Sequence, residues 1–362
     1  MKKKIAVIGL KGLPAFGGAA TVGENIIEQL KDKYDFTVYS VSSHTSEKTG
    51  NRNGYKQIVF KKIPFKKINT LYYYIISAFH ILFSSKYDII HLHHRDAAFI
   101  IPFLKLRTKK VVLTIHGFGT NDLSDKWNRY KWFYDLQEKY FVKKADSITT
   151  MSLRDKNIIE SKLNVHVDYI PNGINLQPQR EKNKSENYIM FAAGRIVSFK
   201  RCDVFLKALK LINYTGAVKI VGDIEQSIAY KEYLLKLSEG LNVEYTGLIY
   251  SKDKLFDLYS NANFFVFPSS TEAMSMVLLE VASMGTPIIC SDIPGNTQVF
   301  DSNEVLFFKT DDVEDLASKI KFAITNHSVM DELSNSALKK LNTNYRWDIV
   351  AGLYSDTYES CN

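Results

Sequence analysis

The stretch from Ala262 to Asn296 constrains the fold of this chain more than any other part of the sequence. Its aromatic, apolar run Phe264–Phe267 predicts a strand that is buried on both faces. A helix is predicted from about Met274 to Met284, because Gly285 and then Pro287 follow as helix-stop signals. The order strand, loop, helix, strand indicates an alternating α/β fold with a parallel sheet.

The predicted helix is apolar nearly all round, which is typical of a buried helix, yet it contains the carboxylate Glu280. Glu272 lies eight residues earlier, in the preceding loop. A carboxylate in apolar surroundings is costly unless something hydrogen-bonds it, so we expect either a cation from the fold or hydroxyls from a ligand. The free N–H groups at the helix start form an anion site. Hydroxyls and phosphate together indicate a nucleotide sugar.

The composition limits the number of domains and the class of protein to which the chain can belong. A length of 362 residues favours two domains, and 45% hydrophobic with 24% charged residues is typical of a soluble globular protein. The three cysteines are widely spaced and form no metal-binding pattern, which fits a reducing compartment. The first apolar run is too short for a signal peptide, and no apolar stretch is long enough to span a membrane. We therefore expect a cytoplasmic protein.

The charge of the chain is unevenly distributed. Residues 1–170 contain 28 Lys+Arg and 15 Asp+Glu, a net charge of +13, whereas residues 171–362 contain 19 and 24, a net charge of −5. A basic first half indicates an anionic partner, which is membrane lipid, nucleic acid or a phosphorylated substrate. Several lysines between Lys56 and Lys67 precede the aromatic run Leu71–Phe83. This segment either lies at a membrane interface or is a core helix with a solvated lysine face; no nucleic-acid motif accompanies it.

A glycine-rich loop follows the first predicted strand, Lys4–Leu10, and precedes a helical pattern from about Ala20 to Leu30. Strand, glycine loop and helix together are the arrangement that cradles phosphate. The spacing is neither G-x-G-x-x-G nor that of a Walker lysine loop, which disfavours a dehydrogenase. Gly17 and Gly18 are therefore candidates for backbone contact with a phosphate or sugar, the alternative being a tight turn with close helix packing.

Polar residues follow the next predicted strands of the first half, at the carboxyl ends where α/β sheets bind ligands. After the strand Asp88–Leu92, His93 shares a face with His91. No further ligand cluster supports a metal site here, so we expect a polar cleft. Its candidate lining residues are His93, Arg95, Asp96 and Asn121.

A further histidine, His116, directly follows the predicted strand Lys110–Ile115. Its position at a strand end makes it the first candidate for a group near the reacting centre, and a packed histidine is the alternative. A long helical region is predicted from Trp127 to Lys144.

The second half repeats the alternation after a polar, aperiodic linker. The predicted organisation is a first domain at 1–175, a linker at 176–187, a second domain at 188–344 and a C-terminal helix at 345–362. Gly194, Arg195 and Lys200 follow the first strand of the second half, Tyr188–Ala193. Arg binds phosphate with two parallel hydrogen bonds and Lys acts as a point charge, so this pair suits a diphosphate unless both are solvated surface cations.

These motifs together resemble family four of the retaining glycosyltransferases over essentially the whole chain. The resemblance rests on the glycine loop, the G-R-x4-K turn at Gly194, and the E-x7-E stretch EAMSMVLLE that precedes GTPII. It implies the GT-B fold, with two Rossmann-like domains facing a central cleft and a C-terminal helix that returns to the first domain. The N-terminal GLPAFGGAATVGEN further resembles a rhamnosyltransferase-like branch of bacterial polysaccharide enzymes.

The resemblance implies a role for individual residues. Arg195 and Lys200 would hold the donor diphosphate, Glu280 would accept hydrogen bonds from the ribose, and His116 would lie beside the anomeric centre. The implied catalytic set is His116, Arg195, Lys200 and Glu272. The implied donor-binding set is Gly17, Gly18, Gly194, Arg195, Lys200, Glu272, Ala273, Met274, Ser275 and Glu280.

The sequence departs from the family pattern at several positions. Ala273 and Ser275 replace glycines, and Met274 stands where an aromatic residue is common. Arg201 follows Lys200 where the family usually has glycine, and Gln298 stands where many members have glutamate. The loop after Glu272 is therefore expected to be less open than in typical members.

The expected protein is a retaining glycosyltransferase of hexosyltransferase type. It would transfer a sugar from a nucleotide diphosphate, with UDP the first choice, to a hydroxyl of a saccharide acceptor that we expect to be lipid-linked. It would need no cofactor, and the lack of a D-x-D tripeptide argues against a required metal. Peripheral contact with anionic membrane would place it at the inner face of the cell membrane. A non-catalytic nucleotide-sugar-binding subunit and a GT-B sugar-nucleotide epimerase are the alternatives.

Overall fold

The structure is a computed structural model that describes residues 2–15, 18–65, 68–84, 86–118, 132, 135–178, 180, 182–183 and 186–360. The chain divides into two compact units. The first unit comprises Met1–Gly173 together with Trp347–Asn362, and the second comprises Ile174–Arg346. Each unit is built around its own, mainly parallel β-sheet with helices between successive strands.

The sheet of the first unit has the strand order β3-β4-β2-β1-β5-β6-β7-β8. All described pairs are parallel except β3 with β4. The order reverses between β1 and β5, which is the position where doubly wound sheets bind ligands. The strands are β1 (Lys4–Lys11), β2 (Asp35–Val41), β3 (Gly50–Asn51), β4 (Tyr55–Phe60), β5 (Ile89–His93), β6 (Lys110–Ile115), β7 (Ser147–Thr150) and β8 (Asp168–Tyr169).

The helices of the first unit cover a sheet whose central strands are almost entirely buried. Buried parallel strands read as continuous apolar runs, as β1 and β6 do. The helices in chain order are α1 (Gly18–Leu30), α2 (Asn69–Phe83), α3 (Ile101–Leu104) and α4 (Leu153–Leu163), with 3₁₀ turns at Arg95–Ile100 and Val142–Lys144, a π-helical turn at Gln137–Phe141, and the C-terminal helix Trp347–Glu359.

The C-terminal helix is attached to the first unit by buried and half-buried polar contacts. The ammonium of Lys110 donates to the carbonyl oxygens of Thr357 (2.6 Å) and Ser360 (2.5 Å). The hydroxyl of Tyr34 donates to the carboxylate of Glu359 at 2.8 Å. The predicted return of this helix to the first half of the chain is therefore confirmed.

The second unit contains a parallel sheet of order β11-β10-β9-β12-β13-β14, which reverses between β9 and β12. Its strands are β9 (Tyr188–Arg195), β10 (Ala217–Asp223), β11 (Asn242–Gly247), β12 (Phe264–Phe267), β13 (Ile288–Ser291) and β14 (Leu306–Phe308). Its helices are α5 (Cys202–Leu211), α6 (Ile228–Ser238), α7 (Lys252–Asn261), α8 (Met276–Ser283), α9 (Pro294–Thr297), α10 (Val313–Thr325) and α11 (His327–Asn344).

The structure differs from the sequence pattern at three points. The stretch 42–57 is polar and loop-like in sequence, but β4 begins at Tyr55 within it and pairs with β2. The polar side chain of Gln57 hides this strand from a hydrophobicity pattern, although the residue is buried and its Nε2 donates to the carbonyl of Leu13 (3.2 Å). Helix α8 begins at Met276 rather than Met274. Of the helix predicted over 127–144, the described end consists of a π-helical and a 3₁₀ turn.

Candidate functional site

In the second unit, the end of β9 exposes the residues predicted to meet phosphate. The strand is buried along its length up to Gly194 and Arg195, both of which are exposed. A Cβ atom added to Gly194 would meet no atom within 4 Å, so the backbone is open at this point. Because β9 lies at the reversal of strand order, a ligand can approach the strand end directly.

Lys200 and Glu272 form a largely buried ion pair. The ammonium of Lys200 lies 2.5 Å from a carboxylate oxygen of Glu272, and the two side chains are 18% and 14% exposed. The backbone N–H of Ser270 donates to the carbonyl of Phe199 (2.9 Å), which ties the turn before Lys200 to the loop after β12. The predicted phosphate-binding cation and the predicted sugar-facing carboxylate are thus in direct contact.

Arg201 shows why the family favours glycine at this position. Its φ angle of +55° lies in the left-handed region, immediately before α5. Residues other than glycine, asparagine and aspartate rarely adopt this conformation. The guanidinium of Arg201 lies 2.6 Å from the carboxylate of Asp311, and this ion pair helps to hold the residue in place.

The loop between Glu272 and α8 is fixed from one side by α9 and the residue after it. The amide of Gln298 donates to the carbonyl of Ala273 at 2.6 Å. A Cβ atom on Gly295 would lie 2.3 Å from the carbonyl oxygen of Glu272, so glycine is needed there for close approach. Ser275 precedes α8 without its side chain capping a first-turn N–H. Backbone donors at this helix start therefore lack the side-chain cap they often have.

The carboxylate of Glu280 is buried within α8, as the sequence indicated, and its partner is Lys252 of α7. The sequence left open whether a cation from the fold or hydroxyls from a ligand satisfy this carboxylate. In the structure, the cation of Lys252 does so. Glu280 is 8% exposed at its side chain, whereas Lys252 is 62% exposed. Because the ammonium is already mostly in water, it can leave the carboxylate without being desolvated.

In the first unit, two of the loop glycines are required by packing. Gly9 has φ +111°, and a Cβ atom there would lie 2.1 Å from the carbonyl oxygen of His93. A Cβ atom on Gly12 would lie 2.5 Å from the carbonyl oxygen of His44. Gly18, the first residue of α1, is exposed with open space around its Cα, so it stays a candidate for backbone contact. Gly17 lies outside the described residues.

A row of histidines occupies the ends of β5 and β6. His91 and His93 share one face of β5, with ring centroids 4.1 Å apart. Nδ1 of His93 lies 2.9 Å from Nε2 of His116. The two nitrogens of His91 contact the hydroxyls of Tyr358 (2.8 Å) and Thr114 (2.7 Å). We refer to His91, His93 and His116 as the histidine row.

The histidine row is uncharged at neutral pH. Burial lowers the pKa of His91 to about 3. Burial and the neighbouring imidazoles lower the pKa of His93 and of His116 well below the usual range. Burial also lowers the pKa of His94 to about 4, against the opposing effect of Asp96. His116 is partly exposed, and it therefore offers a ligand a neutral hydrogen-bonding group rather than a positive charge.

The four residues predicted to line an acceptor cleft do not form one exposed group. His93 is fully buried, and Arg95 is 9% exposed. The guanidinium of Arg95 donates to Glu138 at 2.7 Å and lies 4.8 Å from the ring centre of Phe118, which is a structural role. Asp96 is partly exposed, and Asn121 lies outside the described residues.

A separate pocket of about 520 Å³ lies in the first unit, close to the ends of β1 and β2. Its lining is rich in hydroxyl groups, and Ser43 accepts a hydrogen bond from the amide of Asn69 at the start of α2 (2.8 Å). The lining residues are Leu10, Gly12, Ala20, Ser42, Ser43, His44, Thr45 and Ser46. Its volume lies within the range of small-molecule binding pockets.

Helix α2 presents an apolar stripe to solvent. Residues spaced three or four apart are exposed by 44% to 76% of their surface, and the opposite face, which includes Tyr73, Tyr74 and Ile81, is buried in the core. The exposed apolar residues are Ile68, Leu71, Ile75, Phe79 and Phe83. We call this set the α2 stripe. Within the part of the chain that the structure describes, no helix combines the length and hydrophobicity needed to cross a bilayer.

Sequence reasoning missed Lys252, Thr114 and Tyr358. Thr114 carried a signal, because a hydroxyl inside an apolar strand needs a partner, and the structure supplies His91 and Thr149 (2.7 Å). Lys252 carried no signal, since it lies 28 residues before Glu280 and meets it only through the packing of two helices. Tyr358 is likewise brought to His91 by tertiary structure alone.

The sequence matches two glycosyltransferase families. Residues 16–178 match the family described as Glycosyltransferase Family 4, and residues 174–340 match Glycosyl transferases group 1. An uncharacterized glycosyltransferase of Methanocaldococcus jannaschii is 24% identical over 344 residues, covering 92% of each chain. The UDP-Gal:alpha-D-GlcNAc-diphosphoundecaprenol alpha-1,3-galactosyltransferase of Escherichia coli is 24% identical over 310 residues, covering 78% of this chain and 79% of that protein.

Solved structures with the same fold extend over the whole chain. The sucrose-phosphate synthase of Thermosynechococcus elongatus superposes with a TM-score of 0.83 at 19% identity, covering 99% of this chain and 98% of that one. HepE of Anabaena in complex with UDP-glucose has a TM-score of 0.76 at 14% identity, covering 99% and 100%. The chain therefore belongs to the glycosyltransferases of the family-four type and has the GT-B fold.

Proposed function

We propose that this glycosyltransferase transfers a hexosyl group from a nucleoside diphosphate, with UDP the first choice, to a hydroxyl of a saccharide acceptor, with retention of anomeric configuration. The observation that carries the proposal is the contact of Lys200 with Glu272 beside the exposed end of β9. A buried lysine–carboxylate pair next to open backbone and a free helix start is suited to exchanging its carboxylate for a phosphate.

The donor diphosphate competes with Glu272 for the ammonium of Lys200. A diphosphate carries more negative charge than one carboxylate and also reaches Arg195 and the first N–H groups of α8, so the exchange favours the ligand. Glu272, released from the lysine, then becomes free to hydrogen-bond the donor sugar. In the same way, the ribose hydroxyls displace Lys252 from Glu280. The buried carboxylate of Glu280 therefore has a hydrogen-bonding partner both before and after the donor binds.

The proposed chemical step is a same-face displacement. The bond from the anomeric carbon to the leaving phosphate oxygen breaks while the bond to the acceptor oxygen forms, and the acceptor proton passes to the leaving phosphate oxygen. Lys200, Arg195 and the α8 N–H groups stabilise the negative charge that develops on the diphosphate. The protein's other task is to align the acceptor hydroxyl with the anomeric carbon. These cations supply the positive charge that the leaving group needs, so the proposal assigns no step to a metal.

The acceptor is proposed to be a lipid-linked saccharide at the inner face of the cell membrane. The hydroxyl-lined pocket would hold the saccharide, and the α2 stripe would contact the lipid. The two are adjacent, because Asn69 at the start of α2 bonds Ser43 of the pocket, and Lys62 donates its N–H to Ser42 at 2.9 Å. Exposed lysines Lys61 and Lys62 precede the stripe and favour anionic headgroups.

Nucleotide binding is tested first, by thermal shift with UDP, GDP, ADP and their sugars. A ligand present at 100 times its Kd raises the free energy of unfolding by about 2.7 kcal/mol. Stabilisation by one nucleoside diphosphate is expected in the wild type and in Lys210→Ala, which removes an exposed lysine at the end of α5. Arg195→Ala should reduce the stabilisation by the nucleoside diphosphate. Stabilisation of Arg195→Ala equal to the wild type would contradict the diphosphate assignment.

Turnover is tested next, with the stabilising sugar nucleotide and a polyprenyl-diphosphate saccharide as acceptor. The expected product is a disaccharide whose new linkage has the anomeric configuration of the donor, read by NMR coupling constants. Arg195→Ala should lower kcat/KM by about 10²-fold or more. Conversion of the donor to another sugar nucleotide without acceptor would instead identify an epimerase. Binding without turnover over many acceptors would identify a non-catalytic subunit.

A further inference from the structure

His93 lies behind His116, and nothing in the proposed reaction uses it directly. We propose that His93 is a positioning residue that fixes the tautomer of His116, so that His116 presents a hydrogen-bond donor at Nδ1 and has no lone pair available to act as a base. The tautomer rests on the geometry of the two rings alone; its consequence for the reaction rests on the proposed function, with His116 beside the anomeric centre as the family resemblance implies.

The geometry that joins the two rings follows from strand register. His93 pairs with Thr114 across β5 and β6, and His116 lies two residues further along, on the same side. Nδ1 of His93 is 2.9 Å from Nε2 of His116, and the rings are nearly parallel, with 17° between their planes. This is an ordinary hydrogen-bond distance, so one of the two nitrogens carries the shared proton.

Two proton arrangements are compatible with neutral rings. In the first, His93 Nδ1–H donates to His116 Nε2, His116 carries its own proton on Nδ1, and His93 Nε2 is a bare acceptor. In the second, His116 Nε2–H donates to His93 Nδ1, and the proton of His93 then lies on Nε2. Each neutral imidazole has one donor and one acceptor nitrogen, which leaves only these two choices for the pair.

The surroundings of His93 Nε2 decide between them. This nitrogen is buried and has no hydrogen-bond partner among the described residues. Among buried backbone groups, an orphaned N–H is rarer than a carbonyl with an unused lone pair, and we extend this preference to the imidazole nitrogen. The second arrangement places an N–H there, whereas the first places only a lone pair. The first arrangement is therefore favoured, and His116 is the Nδ1–H tautomer.

The orientation of His93 is itself set by the rest of the row. Its ring packs at 4.1 Å from that of His91, whose two nitrogens are engaged by Tyr358 and Thr114. Three elements, β5, β6 and the C-terminal helix, thus hold the row in one conformation. Among the described residues around His116, the titratable groups outside the row are His94, at 5.0 Å between ring centroids, and the Lys11 and Asp96 side chains that act on His94.

The consequence for the reaction concerns the acceptor proton. With Nε2 engaged by His93 and a proton on Nδ1, His116 can only donate to an oxygen of the donor sugar or its phosphate. It cannot accept the proton of the acceptor hydroxyl. The leaving phosphate oxygen is then the group that takes this proton, and His116 contributes orientation and polarisation.

The tautomer of His116 is measured directly by long-range ¹⁵N–¹H NMR of the unliganded wild-type protein at pH 7.5, with the signal assigned by its loss in His116→Gln. We expect a pyrrole-type Nδ1 and a pyridine-type Nε2. A proton on Nε2, or a doubly protonated ring, would overturn the proposal. This readout needs neither donor nor acceptor, so it separates the present inference from the proposed function.

Variants of His93 connect the tautomer to turnover. His93→Leu removes the donor and should give His116 a mixture of tautomers, with kcat lowered on the order of 10-fold to 10²-fold and UDP affinity unchanged. His93→Asn retains an N–H near the position of Nδ1 and should recover most of the loss. His166→Asn is the matched control, because it removes an exposed histidine of the first unit that contacts Asp168 and lies outside the histidine row. An unchanged tautomer in His93→Leu would contradict the proposal; if that variant does not fold, the wild-type spectrum decides.

Discussion

The two units carry opposite chemistry at their candidate site residues. The second unit has ion pairs, Lys200 with Glu272 and Lys252 with Glu280, next to an exposed arginine. The first unit has the histidine row, in which burial keeps every ring neutral. Both arrangements satisfy polar groups in partly buried surroundings, but they do so with groups that respond differently to a ligand.

An ion pair can exchange one partner for a ligand, whereas a chain of neutral hydrogen bonds is set in advance. A diphosphate or a ribose replaces one member of each pair, and the released side chain becomes available for another contact. The histidine row has no charge to exchange, and its members hold one another in fixed tautomers. We therefore expect the second unit to supply donor affinity and the first to supply orientation.

Removing the cation of the more buried pair should have the largest effect. Lys200→Ala deletes a charge that the proposal places on the diphosphate, and it leaves Glu272, 14% exposed, without its partner. We expect kcat/KM to fall by about 10²-fold to 10³-fold. Steady-state kinetics with the stabilising donor measures this, with Lys210→Ala as control. A loss of less than about threefold would show that the Lys200 pair is only structural.

The two residues of the Lys252–Glu280 pair should have unequal effects on the donor KM when each is replaced by alanine. Glu280→Ala removes the proposed ribose acceptor and should raise the donor KM by about tenfold, which corresponds to the net worth of one to two hydrogen bonds. Lys252→Ala removes a side chain that is 62% exposed and should change KM by less than about threefold. Equal effects of the two substitutions would indicate that the pair acts as a unit and that Lys252 is not displaced by the nucleotide.

Lowering the pH should reduce the free energy of unfolding through the neutral histidine row. His91 has a pKa of about 3 in the folded protein and about 6.5 when unfolded, so protonation favours the unfolded chain. Its contribution to stability is complete above pH 6.5 and is lost as the pH falls toward 3, by about 1.4 kcal/mol per pH unit. Urea unfolding at pH 7.5, 6.0 and 5.0 should show a smaller pH slope in His91→Asn than in the wild type. His327→Gln, at an exposed position, should leave the slope unchanged.

The smallest expected effect concerns the α2 stripe. Ile75→Ser together with Phe79→Ser should lower co-sedimentation with vesicles containing anionic lipid several-fold, because about 0.8 kcal/mol is lost per CH₂ group no longer buried. Turnover of a water-soluble acceptor should stay unchanged. Leu211→Ser, which alters an equally exposed leucine of the second unit, is the control. Wild-type binding that is absent at every lipid composition would remove the membrane from the proposal.

Strand and helix order could be predicted because both sheets are parallel and buried. Their strands are short apolar runs, and the residues after each run fall at the ligand-binding edge, as Arg195 and His116 do. The need of Glu280 for a partner could likewise be predicted from the sequence, since a carboxylate in an apolar helix is costly without one.

What could not be predicted depends on tertiary packing. The burial of His93 and Arg95 is not visible in the sequence, because both types are usually exposed and only their neighbours satisfy them here. The left-handed conformation of Arg201 is supported by Asp311, which lies 110 residues later. Strand β4 was hidden because Gln57, a polar residue that is buried in the structure, interrupts its apolar pattern.

The placement of the C-terminal helix imposes an order on biosynthesis. The first unit needs Tyr358 against His91 and Thr357 against Lys110, yet these residues leave the ribosome only after the whole of Ile174–Arg346. The second unit is contiguous in sequence and can complete its sheet while the first still lacks its last helix. During that interval the histidine row is open on one side, and contacts spanning more than 350 residues, such as Lys3 with Glu359, form last.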